Sequence, residues 1–174
     1  QAHDLNFRGV RLVYQIPTRA LIGLRGLMMT ATKGNAVMSS VTVGYQKMGS
    51  AIPQTRNGVL ISFESGAATA YSIENAQERG TVFIKPTQKV YAGQIVGLNL
   101  RKEDMEVNIC KEKKLTNVRS SSSDGAIQLT PPTILSLEES LDFLEDDELL
   151  EVTPQNLRLR KRFLLTNERK KNRK

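Results

Sequence analysis

Tryptophan is absent from the chain, cysteine and histidine occur once each, and aromatic side chains make up only 5% of its 174 residues. Cys110 has no second thiol with which to close a disulfide, and His3, in a terminal segment expected to fray, stands too far from it to build a metal site. The expected compartment is therefore the reducing cytosol. No stretch approaches the roughly 20 apolar residues of a membrane helix, so neither a helical span nor a membrane partner is expected. A hydrolase triad needs a histidine held beside its nucleophile, and His3 is three residues from the chain start. The phosphate-cradling pattern G-x-x-x-x-G-K-[ST] does not occur, so no nucleotide cofactor, metal or catalytic residue is expected in this chain. The opening Gln-Ala-His-Asp has neither an initiator Met nor the sections of a signal peptide, as expected of a processed end or an excised piece of a longer protein.

What is present describes a globular chain of one domain or two small ones, with 39% hydrophobic and 25% charged residues. With so few rings, its core must be built from Leu, Ile, Val, Ala and Met. The net charge of +7 is unevenly spread. Residues 1–135 carry 16 basic and 9 acidic side chains, residues 136–151 carry 8 acidic and no basic ones, and residues 152–174 carry 9 basic side chains against Glu168 alone. Clustered Lys and Arg are the electrostatic footprint of nucleic-acid binding. The alternative, that the acidic block folds against the basic segment and each neutralises the other, stays open at this level. The carboxylates between Glu138 and Glu151 read as a solvated helix face rather than an acid–base pair, because no apolar pocket splits their pKa values.

Periodicity predicts a strand over Val10–Pro17, a helix from Thr18 to about Ala31 with Thr18 as its cap, and a second strand over Val37–Val43. A β-rich unit is expected to begin near Asn57, with strands at Val59–Phe63, Thr81–Ile84, Val90–Leu100, Met105–Ile109 and Ile127–Leu129 and a short helix over 67–76. Lys89–Gln94 reads as a structural turn. Lys111–Gly125 is a basic, serine-rich loop longer than compact domains usually carry without a function. Ser136 and Glu139 form a capping-box signature before a helix whose Leu137, Leu141 and Leu144 share a face. A hairpin over 150–163 turns at Pro154-Gln155-Asn156. In its second strand Leu157, Leu159 and Phe163 alternate with Arg158, Arg160 and Arg162. Lys161 and residues 169–174 are expected to add to the positive surface of these arginines, and 166–174 reads as a mobile basic tail.

Several blocks together resemble the C-terminal part of the BipA/TypA family of ribosome-associated translational GTPases. They are Ile16-Pro-Thr-Arg-Ala-Leu-Ile-Gly-Leu-Arg25, Asn57-Gly-Val-Leu-Ile-Ser62, Gln77-Glu-Arg-Gly80, Val90-Tyr-Ala-Gly-Gln-Ile-Val-Gly97, Lys114-Leu-Thr-Asn-Val-Arg119, Glu145-Asp-Asp-Glu-Leu-Leu-Glu-Val-Thr-Pro154 and Leu157-Arg-Leu-Arg-Lys-Arg162. The resemblance implies an α+β chain. Residues 1–50 would be half of a ferredoxin-like domain V of the elongation-factor-G type, 51–165 the family's C-terminal domain and 166–174 a basic tail. It implies a full-length GTP hydrolase whose GTP and Mg²⁺ sites lie in domains outside these residues. Its partners would be the 70S ribosome or 50S subunit, 23S rRNA near the peptidyl-transferase centre and the acceptor arm of A-site tRNA. Roles in 50S assembly and in stress or cold adaptation follow, in a bacterial cytoplasm or an organelle.

The family's tRNA-facing loop carries Lys-x-Leu-Thr-Asn-x-Arg, so the resemblance assigns RNA contact to Lys111, Lys113, Lys114, Thr116, Asn117 and Arg119. Lys and Arg would neutralise phosphates, and Thr and Asn would bond sugar hydroxyls or base edges. The arginine stripe Arg158, Arg160 and Arg162 is expected to contact rRNA, with at least one arginine tied to the acidic helix. A free-standing RNA-binding regulator is the other reading. Half of a ferredoxin-like unit would leave its strands with open edges, which invites edge-to-edge self-association.

Overall fold

The computed structural model describes residues 2–5, 9–49, 56–112 and 127–172, and divides into two units, Gln1–Pro53 and Gln54–Lys174. The architecture is α+β, with short helices and several small sheets. No helix among the described residues is long and apolar enough to cross a membrane.

In the first unit β1 (Ala2–Leu5) pairs antiparallel with β2 (Gly9–Leu12), Leu5 opposite Gly9 and Ala2 opposite Leu12. The strand expected to run to Pro17 stops at Leu12, because β1 supplies partners only as far as Ala2. The expected helix over 18–31 is two pieces, a 3-10 turn at Thr18–Leu21 and α1 (Leu24–Ala31). Pro17, not Thr18, holds the cap position of the first piece. Gly23 adopts the left-handed conformation at φ 73°, open to glycine at no steric cost, and this breaks the helix between the two. Val37–Val43 has the alternation of a strand but forms none. No partner pairs with it among the described residues, and Val37 stands 98% exposed. Alternation describes a surface that fits a sheet; it does not supply the neighbouring strand.

The second unit is organised around β3 (Val59–Ser62), buried at all four positions. It lies between β7 (Ile95–Asn99), antiparallel, and β8 (Met105–Val107), parallel, while β5 (Gly80–Val82) pairs with the far side of β7. The order is β5-β7-β3-β8. Both faces of this sheet are covered, which is why its central strands are continuous apolar runs rather than alternating ones. On one face Leu60, Val96 and Val107 pack with Ile73 and Ala76 of α2 (Ala70–Gln77). On the other Val59, Ile61 and Ile95 pack with Leu159, and Phe143 and Leu150 lie against them. A two-residue ladder joins β4 (Gly66–Ala67) to β6 (Lys89–Val90), and a turn at Tyr91–Gln94 separates β6 from β7 where the apolar pattern predicts one long strand.

The second cover comes from α3 (Leu137–Phe143) and the hairpin of β9 (Glu148–Val152) and β10 (Leu157–Lys161). The capping box of α3 forms as its sequence predicts: the Ser136 hydroxyl accepts from Glu139 N, and the Glu139 carboxylate accepts from Ser136 N. Of its leucine side only Leu144, at the C-cap, packs against the core. Ser140 is buried, and Phe143 meets Phe83 edge-on with ring centroids 5.5 Å apart, whereas Leu137 and Leu141 face solvent. Ile127–Leu129, expected as a strand, is irregular. The Gln77 side-chain amide takes the place of a strand neighbour there, donating to Thr130 O at 2.6 Å and accepting from Thr130 N at 3.0 Å. Residues Thr166–Asn172, expected as a mobile tail, form the short helix α4. Glu168 near its start and Arg169, Lys170 and Lys171 near its end oppose the helix dipole favourably.

Candidate nucleic-acid interface

The feet of the long basic loop are both held by α2. At its N-terminal end the hydroxyls of Thr69 and Ser72 each donate to Lys111 O at 2.6 Å. At its other end Gln77 grips Thr130. Eight residues at 1.5 Å rise put these two anchors roughly 12 Å apart along the helix. Lys111 is exposed at the first foot. Lys113, Lys114, Thr116, Asn117 and Arg119 lie outside the described residues.

Arg158 and Arg160 sit on β10 and Arg162 directly follows it, and the alternation is as the sequence predicts for Leu159, which is buried, and for the three arginines, which are not. The three guanidinium groups differ. Arg160 Nε is 2.7 Å from Glu151 Oε1 on β9, and Arg160 Nη1 also donates to Lys161 O at 3.2 Å. Tyr91 donates its phenol proton to the second oxygen of the same carboxylate at 2.7 Å. Burial, and then that carboxylate, push the Tyr91 pKa well above the usual tyrosine value. Arg158 lies directly opposite Glu151 in the hairpin register, but both oxygens of Glu151 are already engaged. Among the described residues the guanidinium groups of Arg158 and Arg162 meet no acceptor. None of the three arginines is tied to α3. The arginine that reaches the acidic segment's helix is Arg56, whose Nε donates to Phe143 O at 2.8 Å and whose guanidinium lies 4.3 Å from the Phe143 ring centre.

Lys161, expected on the positive surface, is instead 1% exposed. Continuing the alternation past Leu159 turns it inward, where its Nζ lies 2.8 Å from Asp104, 3.0 Å from Asp147 and 2.9 Å from Glu148. Glu148, whose side chain is fully buried, is shared with Arg56 at 2.5 Å, and Arg56 also approaches Glu145 at 3.3 Å. Burial alone would lower the Lys161 pKa; the hydrogen bond from Lys161 to Asp104 and the charge of Glu148 outweigh it and raise the pKa above the usual lysine value. Burial raises Glu145 above the carboxylate range, with Arg56 acting against it. Glu145, Asp147 and Glu148 bring carboxylate oxygens within 4.8 Å of one another, a donor set that would suit a cation; the positive charge in place is supplied by Arg56 and Lys161. The acidic block is thus neutralised in part from both directions along the chain.

Arg169 likewise leaves the solvent-facing set. It donates to Phe163 O at 3.0 Å and pairs with Glu106, pinning α4 beside β8. Burial of Glu106 is outweighed by the Thr166 hydroxyl and Arg169, which hold its carboxyl below the usual value. Lys170 and Lys171 remain exposed.

The family model described as the TypA/BipA C-terminal domain matches residues 57–166. The chain belongs to the TypA/BipA family. It is 47% identical over 163 residues to the Large ribosomal subunit assembly factor BipA of Haemophilus influenzae, covering 93% of this chain and 26% of that protein. The factor of the same name from Buchnera aphidicola subsp. Schizaphis graminum is 49% identical over 163 residues, covering 93% and 27%. That from Synechocystis sp. is 42% identical over 151 residues, covering 87% and 25%. The chain therefore spans about a quarter of the length of the curated relatives it matches.

Within this TypA/BipA chain, two features escape a reading of the sequence alone: the buried Lys161 hub and the grip of α2 on the loop. The first has a signal in the β10 alternation, which passes through Lys161 on the Leu159 side. The second has none, because Thr69, Ser72 and Gln77 meet Lys111 and Thr130 only in three dimensions.

Proposed function

We propose that this chain is the ribosome-binding C-terminal portion of a TypA/BipA-type translational GTPase that acts in assembly of the large ribosomal subunit. The relatives' shared name supports the large subunit as partner. The observation that carries an RNA-facing role is the pair of unneutralised guanidinium groups, Arg158 and Arg162, on a face whose opposite side is locked into the core. Together with Lys111, Lys113, Lys114, Thr116, Asn117 and Arg119 they would meet 23S rRNA and the acceptor arm of A-site tRNA, with Arg160 holding the strand in place through Glu151. GTP and Mg²⁺ binding fall to other domains of the full-length protein, since this chain has no Gly-rich loop with Lys and Ser/Thr to cradle phosphates. A cytoplasmic site of action and a role under stress belong to the same reading.

The test is cosedimentation of the full-length protein with 50S subunits across a salt series. Replacing Lys113, Lys114 and Arg119 by Ala, or Arg158 and Arg162 by Gln, should weaken binding. The salt slope should fall by roughly 0.7–0.9 for each phosphate that is no longer neutralised. Unchanged affinity and slope in both variants would remove the RNA role from these residues.

A further inference from the structure

A groove of about 460 Å³ opens in the second unit between the start of β10, the segment after β5 and the N-terminal approach to α3. Its size falls in the roughly 300–1,000 Å³ range of small-ligand sites. The apolar lining includes Phe83, Ile95, Leu135 and Leu159. Two cations, Lys85 and Arg158, also line it, and among the described residues no Asp or Glu does, although the chain holds 18 acidic residues. Arg158 comes to the groove with its charge unspent, because Glu151 opposite it is committed to Arg160 and Tyr91.

The polar lining is also underused. Gln94 and Ser140 are each 2% exposed. The Gln94 side-chain carbonyl accepts from Tyr91 N at 3.3 Å, but its amide nitrogen and the Ser140 hydroxyl make no hydrogen bond among the described residues. Neither atom is among the fully buried side-chain polar atoms that lack a partner, so both stay accessible where these residues line the groove, free to bond a ligand. The side-chain amides of Gln155 and Asn156, at the hairpin turn, line the groove as well and have no described partner. An amide offers a donor and an acceptor side by side, the pattern that base edges require, while an aromatic ring gives a base a stacking partner.

We propose that this groove takes one unpaired RNA nucleotide, its base against Phe83 and the Gln94–Ser140 polar pair and its phosphate between Lys85 and Arg158. The proposal rests on the large-subunit reading above and names a place where single-stranded rRNA would be held. An acid-free lining with two cations favours a phosphate-bearing ligand over an apolar peptide, which would leave both cations without partners.

The experiment is a titration of the full chain, isotopically labelled, with a single-stranded RNA decamer and with the same decamer in a duplex, followed by side-chain and backbone amide resonances. The single strand should shift the Gln94 side-chain amide and the backbone of 83–88 and 157–159, and the duplex should not. Ser140→Leu, which fills the groove, should weaken single-strand binding at least tenfold. Lys85→Gln with Arg158→Gln, both outside the core, should do the same without risk to the fold. Shifts confined to Lys170 and Lys171, or unchanged affinity in the double variant, would overturn the groove assignment. So would shifts of the same resonances by an acidic, leucine-rich peptide but not by RNA. Cosedimentation of the same variants with 50S subunits separates the two proposals. If wild type binds 50S and the RNA titration fails, the groove alone is wrong; if wild type does not bind 50S, the functional reading fails.

Discussion

Replacing Lys161 by Met removes one charge from a buried cluster while keeping most of the side-chain volume, so little of the cost comes from a cavity. Of the three carboxylates within 3.0 Å of Nζ, Asp147 is 57% exposed in its side chain and loses little when the partner leaves. Asp104 is intermediate at 22%. Glu148 is at 0%, so its stranded charge dominates. Stranding one member of a buried pair costs about 3–5 kcal/mol. Arg56 still touches Glu148, which places the expected loss near the low end, about 3 kcal/mol. For a unit of this size that corresponds to a fall in Tm of about 10 °C. Circular dichroism melts of wild type, Lys161→Met, Glu148→Gln and the double variant should show a coupling of at least about 1 kcal/mol between the two sites. The pH dependence has a defined sign. The folded-state pKa of Lys161 is raised, so its contribution is fully present below the ordinary lysine value of 10.5 and is lost as pH rises through the higher folded value. The variant should therefore lack the part of the alkaline unfolding limb that wild type shows. A fall in Tm below about 3 °C, or strict additivity in the double variant, would refute the claim that this charge is a buried structural member.

Ser136→Ala should destabilise α3 by about 1 kcal/mol, read from denaturant midpoints at unchanged m-value. Glu139 in the same cap is held below the usual carboxylate range by the Ser136 backbone N–H and then its hydroxyl, so the cap is intact above that range and weakens as pH falls through the lowered value, visible as a pH-dependent helical signal that Glu139→Gln abolishes and Ser136→Ala, which keeps the backbone donor, only reduces. Gly80→Ala would set a Cβ 1.9 Å from Leu98 O, a backbone atom that cannot swing away; β5 must separate from β7, and a loss of about 2–3 kcal/mol is expected in the same denaturant assay. Arg169→Ala should speed amide exchange across Thr166–Asn172 while leaving β3 and β7 protected, and uniform loss of protection would show that α4 is integral to the core.

A residue's fate is legible in the sequence where it is decided locally. The Ser136 cap of α3, the 154–156 turn and the apolar strand that opens at Val59 depend on neighbours a few positions away, and they stand in the structure where the sequence puts them. Lys161 shows the opposite case. A lysine amid arginines reads as surface until Asp104, a residue 57 positions upstream, is brought to its Nζ. In α3 three leucines at helical spacing suggest the buried stripe, but Phe143 decides the orientation through Phe83 and Arg56, neither of which is near in sequence. Val37–Val43 carries the right alternation and finds no described partner, so its pattern is legible and its pairing is not. Of the candidate interface, the sequence shows which side chains are basic. It does not show that Glu151 and Glu106 consume two of them.

The position of β3 has a consequence for how the second unit comes into being during synthesis. Val59 and Ile61 leave the ribosome well ahead of the residue that closes their outer face, Leu159, which follows about a hundred positions later, and Arg56 waits nearly as long for Glu148. Joining residues across such separations is slow, and a half-covered strand of this kind is prone to stray pairing in the interval. The nascent chain can assemble α2, β5, β7 and β8 on one side of β3 beforehand, but it must carry an apolar face and an unpaired Arg56 until the hairpin arrives. A chain of the TypA/BipA family thus has a C-terminal domain whose own completion is postponed until translation has passed Lys161.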